Sequence, residues 1–407
     1  MNDETTSHPA GQSTKGSAGE VFMAFLKLGL SSFGGPIAHL GYFRDELVLR
    51  RRWIDEKSYA DLVALSQFLP GPASSQVGFA LGLLRGGPLG ALAAWTAFTL
   101  PSAILLVLFA YGAAAFGGPI GSGIISGLKI VAVAVVAQAV WGMARNLCPD
   151  RQRATIALGA VLIVVLVAGS LGQVAAIAVG ALAGLVVCRT GQEAITSHIN
   201  FPVSPAFGVI SLFLFFALLF ALPLVTSAMS WQGLAVFDAF YRAGSLVFGG
   251  GHVVLPLLET EVVRSGWVSH DQFLAGYGAA QAVPGPLFTF AAYLGAVLGP
   301  EPHGLIGASI ALVAVFLPGF LILIGVIPFW DGFRKRESAQ ALMRGANAAV
   351  VGILGAALYD PVFTSAVVGA HQFDLALSCF VLLTAWKAPP WIVVLVAAAG
   401  GVLIGLA

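Results

Sequence analysis

Two stretches of the chain share a pattern suited to chemistry at a broken backbone. In each, a glutamine precedes Pro-Gly-Pro by three residues: Gln67 before Pro70, Gly71 and Pro72, and Gln281 before Pro284, Gly285 and Pro286. Proline lacks the N–H and its ring strikes the preceding turn, so each triplet ends one helix and opens another. The opening helix offers free N–H groups and the positive end of its dipole, which favour an anion. Carbonyl ends at the same break suit a cation, so the dipoles alone do not decide. Gln67, Ser74 and Ser75 around the first triplet, and Gln281 and Thr289 around the second, are neutral donors that suit a tetrahedral oxyanion, whose oxygens only accept. The hydroxyls can equally cap the freed helix ends.

Those breaks sit in a chain of unusual composition. Of 407 residues 58% are apolar and 10% charged, against roughly 25% charged in an average soluble protein. The apolar residues fall into recurring runs of about 15 to 28, near the length that crosses a bilayer. This pattern excludes an ordinary soluble enzyme and predicts an all-α polytopic membrane protein. With 20 basic and 19 acidic residues the net charge is +1, which gives no support for a nucleic-acid surface. Cys148, Cys188 and Cys379 lie far apart, without the spacing of a zinc site or disulfide framework. No metal or cofactor is expected, and no GxxxxGK[ST] or GxGxxG loop is present, which argues against an ATP-driven pump or a dinucleotide enzyme.

The pattern belongs to an internal repeat. FLKLGLSSFGG at 25 to 35 matches FYRAGSLVFGG at 240 to 250, and the register continues through Trp53 with Trp267, Gln67 with Gln281, and Leu100-Pro101 with Leu317-Pro318. The expected organisation is a disordered cytoplasmic tail at 1–20, a first repeat at 21–188, a linker with one connecting transmembrane helix at 189–235, and a second repeat at 236–407. Loop charges orient the halves. Arg44, Arg50, Arg51, Arg52 and Lys57 lie in the first loop, whereas its match at 259 to 271 has one arginine with Glu259, Glu261 and Asp271. The positive-inside rule then places the first loop, and the N-terminus, in the cytoplasm and the second loop outside. Two homologous halves in inverted topology follow, a ground plan of secondary transporters with the site at the midplane.

Charge parity requires 58 to 84 to enter and leave on one side, so it is expected as a broken, re-entrant helical hairpin at the midplane. Residues 21 to 43 have a like break at Gly34-Gly35-Pro36, and the second half repeats both, at Gly249-Gly250-Gly251 and at 284 to 286. Nine spans complete the count: near 89–116, 124–144, 154–169, 173–188, 206–229, 304–330, 339–359, 373–387 and 391–406. Irregular backbone at membrane depth survives only where protein or a wet cavity satisfies it, which makes four symmetric breaks a site signal.

Lys27 and Arg242 stand seven residues before the first glycine of each upstream break. A membrane-embedded charge is a functional candidate by default, and two cations converging on the axis would suit a dianion, Arg by its fork and Lys as a point charge. Snorkelling to an interface is the alternative. The candidate binding set is therefore Lys27, Ser32, Gly34, Gly35, Gln67, Gly71, Ser74, Ser75, Arg242, Gly249, Gly250, Gly251, Gln281, Gly285 and Thr289. His252, Asp45, Glu46, Glu259 and Glu261 are candidates for coupling or gating, since His252 can titrate near neutral pH and the carboxylates lie at hairpin ends. Lys129 pairs with Asn347 in the repeat and has no obvious partner.

FLKLGLSSFGGP at 25 to 36, RRWIDEKSYADLVALSQFLPGPASSQ at 51 to 76 and the diverged echo from FGGGHVVLPLLETEVV at 248 to AAQAVPGP at 286 together resemble the chromate transporter family, long-chain two-domain type. The resemblance covers about residues 20 to 405 and departs at Gly251, which stands where Pro36 aligns. It implies a multi-pass protein of the bacterial inner membrane that exports chromate and confers chromate resistance, with sulfate as the isosteric competitor. A homodimer is a common arrangement for a membrane protein, and the residues do not encode the oligomeric state. A sulfate or other oxyanion transporter and a passive anion channel are the alternatives. From the residues themselves the reading reaches a tetrahedral oxyanion and no further.

Overall fold

The computed structural model of the chain describes residues 16–113, 118–189, 201–229, 231–248, 250–334 and 336–406. Among them every regular element is helical. The first half runs through α1 (Ala18–Ser31), α2 (Gly35–Phe43) with its π-helical continuation Arg44–Arg50, α3 (Glu56–Phe68), α4 (Ala73–Ala113), α5 (Gly118–Leu147), α6 (Arg151–Leu166) and α7 (Ser170–Val187). α8 (Pro205–Ala228) connects the halves. The second half holds α9 (Gln232–Ser245), α10 (Val254–Val262), α11 (His270–Ala280), α12 (Phe290–Ala296), α13 (Gly304–Val326), α14 (Trp330–Arg334), α15 (Glu337–Ala357), α16 (Thr364–Ala366), α17 (Ala370–Thr384) and α18 (Pro390–Leu406). Of the tail expected at 1–20, residues 1–15 lie outside the described residues. Ser17 caps α1, and Gly16 donates its N–H to the Arg85 carbonyl at 2.9 Å.

A helix stands at each of the nine expected spans: the second arm of α4, α5 to α8, α13, α15, α17 and α18. Six helices among the described residues are long and apolar enough to cross a membrane, whereas α6, α17 and α18 have 16, 15 and 17 residues, short of the usual 20.

The breaks fall where the residues demand them. Gly34 and Gly35 adopt φ of 99° and 80°, and Gly71 and Gly285 adopt 120° and 100°, a left-handed region where a Cβ is penalised. α4 is two arms, because Gly86 and Gly87 leave helical geometry. A Cβ on Gly82 would lie 2.8 Å from Ala94 Cβ and 2.9 Å from the Gly90 carbonyl carbon, so the second arm folds back along the first.

The re-entrant hairpins are visible in which ends meet. Glu20 in the first turn of α1 pairs with Arg85 at the end of α4's first arm, at 3.1 Å. The indole of Trp53, just past the π-helical stretch, carries the guanidiniums of Arg85 and Arg51 at 5.5 and 5.7 Å. Arg44 and Glu56 pair at 2.5 Å. The outer ends of α1, of the 44–50 stretch, of α3 and of the first arm of α4 thus share one basic rim, so each broken pair enters and leaves on the same side. The second half repeats the arrangement: Gly299, aligned with Arg85, donates its N–H to the carbonyl of Trp267, aligned with Trp53, at 2.8 Å.

The halves are interlocked. α5 packs along α18 and α7 along α15, each pair joining opposite halves. Gly123, Gly127 and Gly401 at the first seam, and Gly180, Gly184 and Gly345 at the second, leave no room for a side chain. In an apolar solvent helix association depends on such close backbone approach.

Candidate functional site

The four breaks converge by crossing between halves. Gly71 in the first Pro-Gly-Pro donates its N–H to the Val247 carbonyl at 2.7 Å, and Gly285 in the second donates to the Ser32 carbonyl at 2.8 Å. Val247 aligns with Ser32 in the repeat, so these are one contact made twice. The surroundings match as well. A Cβ on Gly71 would lie 2.9 Å from Gly319 Cα, and one on Gly285 would lie 2.8 Å from Ser102 Oγ, where Ser102 and Gly319 are again aligned. Each second break therefore nests against the first break and the long helix of the opposite half.

The upstream breaks meet each other. A Cβ on Gly251 would lie 3.1 Å from Pro36 Cγ, and Gly35 faces His252 Nε2. Since Gly251 aligns with Pro36, this contact lies on the pseudo-two-fold axis, and a second pyrrolidine ring would occupy the space of the first. One proline and one glycine satisfy the contact, which explains the departure from the repeat at this position. Gly249 lies outside the described residues.

Lys27 and Arg242 are not brought to a common anion. Lys27 Nζ bonds Glu46 Oε2 at 2.7 Å, and Glu46 also receives Arg50 at 3.0 Å and Arg51 at 2.9 Å. Arg242 bonds Asp238 in its own helix and lies 3.9 Å from Glu261, which accepts from Ser170 at 2.7 Å. Glu46 and Glu261 are aligned, so two cations read as ligands and two carboxylates read as gates form one ion pair per half. Each ties the first arm of a hairpin to its return arm. Asp45 is exposed beside Glu46, and Glu259 lies 3.9 Å from Arg264 and 4.0 Å from His270.

The neutral candidates divide. Thr289 donates to the Pro286 carbonyl at 2.8 Å, a local bond back to the preceding turn that leaves the helix end uncapped by its hydroxyl. Gln281 is half-buried, its amide at 3.5 Å from the Tyr277 carbonyl, whereas Gln67 is exposed. Ser74 Oγ lies 3.3 Å from His39 Nδ1. Ser32 and Ser75 are buried with hydroxyls that have no protein partner, and so are His39 Nε2 and Thr99 Oγ1. His39 and Thr99 escaped the sequence reading, as did Asp238, Gln76 and the His252 Nδ1 to Tyr277 hydroxyl contact of 2.7 Å. Gln76 Nε2 donates to the carbonyls of Pro70 and Gly319 at 2.9 and 2.8 Å, pinning the first break to α13. A buried polar residue opposite an apolar repeat partner, as at His39 with Val254, is the signal that would have found the first two.

Packing differs between the halves. α11 lies tightly on α5: a Cβ on Gly278 would sit 3.1 Å from Leu128 Cα, Leu274 and Tyr277 are 0% exposed, and Lys129 bonds Asp271 at 2.6 Å. The aligned face of α3, Ala60, Val63, Ala64 and Gln67, is exposed or half-exposed, and α3 has no comparable packing on α15. Asp55 caps the outer end of α3, and the amides of Ser58 and Lys57 hold its carboxyl below the usual range.

The sequence relationships agree with this two-part construction. The chromate transporter family model matches the chain twice, at residues 19–185 and 234–402. The chain belongs to the chromate transporter family. It is 30% identical over 394 residues to a chromate transport protein of Pseudomonas aeruginosa, covering 94% of this chain and 90% of the relative. A probable chromate transport protein of Synechococcus elongatus is 27% identical, with 93% of each chain covered. A chromate transport protein of Cupriavidus metallidurans is 28% identical, with 95% of this chain and 92% of the relative covered. No solved structure matches the chain. As a family member the chain is a multi-pass membrane transport protein.

Proposed function

We propose that this transporter exports chromate, a tetrahedral dianion with sulfate as its analogue, across the bacterial inner membrane by alternating access. The observation that carries the reading is the reciprocal crossing, Gly71 to Val247 and Gly285 to Ser32. It gathers four half-helix ends at one place inside two interlocked halves, and half-helix N-termini at the midplane recognise anions. The difference between α3 and α11 supplies the second element of the mechanism. The exposed face of α3 opens toward the basic rim, which the positive-inside rule assigns to the cytoplasm, while α11 closes the opposite side on α5. The alternate state exchanges the two: α3 closes on α15 and α11 leaves α5.

An inside-negative potential drives a dianion outward by about 2.3 kcal/mol per charge per 100 mV, so the potential is a sufficient energy source and the exported anion confers resistance. Everted membrane vesicles carrying the protein should take up radioactive chromate saturably, more strongly under an inside-positive potential, and excess sulfate should compete. Uptake that grows linearly with concentration and ignores sulfate would overturn the carrier reading.

A further inference from the structure

The two halves share a backbone plan, yet the buried hydroxyls around the crossing lie mainly in the first. Ser32, His39, Ser74, Ser75, Thr99 and Ser102 are 0 to 3% exposed. Their aligned positions in the second half hold Val247, Val254, Phe288, Thr289, Phe316 and Gly319. Only the Ser75 and Thr289 pair keeps a hydroxyl, and Thr289 spends its own on the Pro286 carbonyl.

These first-half groups form one cluster. The Ser32 carbonyl holds Gly285 N–H at 2.8 Å. The space where a Gly285 Cβ would go is bounded by Ser102 Oγ at 2.8 Å and the Phe98 carbonyl at 3.2 Å. The His39 ring stands edge-on to Phe98 at 5.4 Å and its Nδ1 faces Ser74 Oγ at 3.3 Å. Ser102 donates to the Thr99 carbonyl at 3.1 Å. Ser32 Oγ, at the crossing itself, is buried without a partner, and so are the hydroxyls of Ser75, next to Ser74 in the chain, and of Thr99, next to Phe98. An unsatisfied buried polar group costs about 1 to 3 kcal/mol, and three such hydroxyls on the residues around one crossing are a cost that structure alone does not repay.

We propose that this cluster, at the N-terminal end of α4 and the break before α2, is the single anion site, and that Ser32, Ser75, Thr99 and His39 are its specificity-determining ligands. The inference rests on the reading of the chain as an oxyanion transporter and narrows it. The anion is held by neutral donors and helix N-terminal amides. Lys27 and Arg242 act at a distance, through the hairpins they clamp. The second half contributes Gly285 as a lid of backbone and no side-chain donor, so one dianion is bound per chain although the fold is two-fold.

The test is saturable uptake of radioactive chromate by proteoliposomes containing the full chain, with thermal unfolding measured on the same preparations. Ser75→Ala and Thr99→Val should each raise the KM for chromate by about tenfold or more, the effect of losing a hydrogen bond to a charged group. They should leave thermal stability equal or improved, because each removes an orphaned hydroxyl. Val254→Ala and Phe316→Leu, at the mirror positions, should leave KM unchanged. Saturable wild-type uptake with an unchanged KM in Ser75→Ala, Thr99→Val and Ser32→Ala would overturn the assignment and leave the transport reading standing. KM shifts as large in the mirror variants would overturn the one-sided site. No wild-type uptake of either chromate or sulfate would remove the transport reading itself, and the ligand assignment with it.

Discussion

α3 and α11 occupy the same place in the repeat and end at the same Pro-Gly-Pro, yet one lies open and the other is closed down. On α11 the residues at the inner face are Leu274, Tyr277 and Gly278, buried against α5. On α3 they are Ala60, Val63 and Ala64, with at least part of each exposed. Side-chain size does not force the difference, since the smaller face is the one that fails to pack. The breaks beneath them, by contrast, obey the two-fold closely, as the paired contacts of Gly71 and Gly285 show. A symmetric hub with asymmetric arms is the arrangement that the proposed alternating access requires, and its two states need to differ by only a few kcal/mol.

The strongest way to break this comparison is to fix one arm. Lys129 and Asp271 face each other at 2.6 Å across the closed side, and the aligned pair across the open side is Asn347 with Lys57. Lys129→Cys with Asp271→Cys, bridged by a short bifunctional methanethiosulfonate that replaces the reach of the lysine stem, should cross-link readily in the resting protein and nearly abolish transport, restored by reductant. Lys57→Cys with Asn347→Cys should cross-link slowly at rest and faster during transport. Equal rates for the two pairs at rest would dissolve the distinction between an open and a closed arm.

A smaller effect separates the two hairpin clamps. Glu46 has three cationic partners, Lys27, Arg50 and Arg51, while Asp238 and Glu261 share Arg242. Lys27→Gln leaves Glu46 paired and removes a half-exposed charge, so it should cost about 0.5 to 1 kcal/mol. Arg242→Gln strands the buried Asp238, leaves the part-buried Glu261 with Ser170 alone, and should cost about 3 kcal/mol. Thermal unfolding in detergent reads the difference, and equal losses would mean that the aligned clamps carry equal loads.

Much of this arrangement was legible in the chain before any coordinates. The repeat located the Gly34-Gly35 break and both Pro-Gly-Pro breaks, because FGG and Pro-Gly-Pro leave the backbone few alternatives. The partners of Lys27 and Arg242 were not legible: Glu46 is nineteen residues from Lys27, across a turn whose return angle no local period encodes. The two were accordingly read as ligands and the carboxylates separately as gates, when each cation faces a carboxylate. His39 was hidden for the opposite reason. It stands in an apolar stretch between Ile37 and Phe43 with no histidine in the matching register, and only the burial of its ring beside Ser74 and Phe98 makes it conspicuous. The exposure of α3 has no sequence signature, since Ala60, Val63 and Ala64 carry no local cue to whether a neighbouring helix covers them.

The smallest expected effect lies at the outer ends of the two arms and depends on pH. α3 is capped by a carboxylate, Asp55, which accepts from Lys57 and Ser58 at 3.0 Å each. α11 is capped by a hydroxyl, Ser269, in a reciprocal box with Gln272. Replacing either cap with Ala should cost about 1 kcal/mol at neutral pH. Only the first cap titrates. The Ser58 and Lys57 amides depress the Asp55 carboxyl, so its contribution is complete above the unfolded value of about 3.9 and is lost as pH falls through the lower folded value. The penalty of Asp55→Ala should therefore shrink on acidification, whereas that of Ser269→Ala should not change. Parallel pH profiles for the two variants would mean that the Asp55 carboxylate does not hold the end of the open arm.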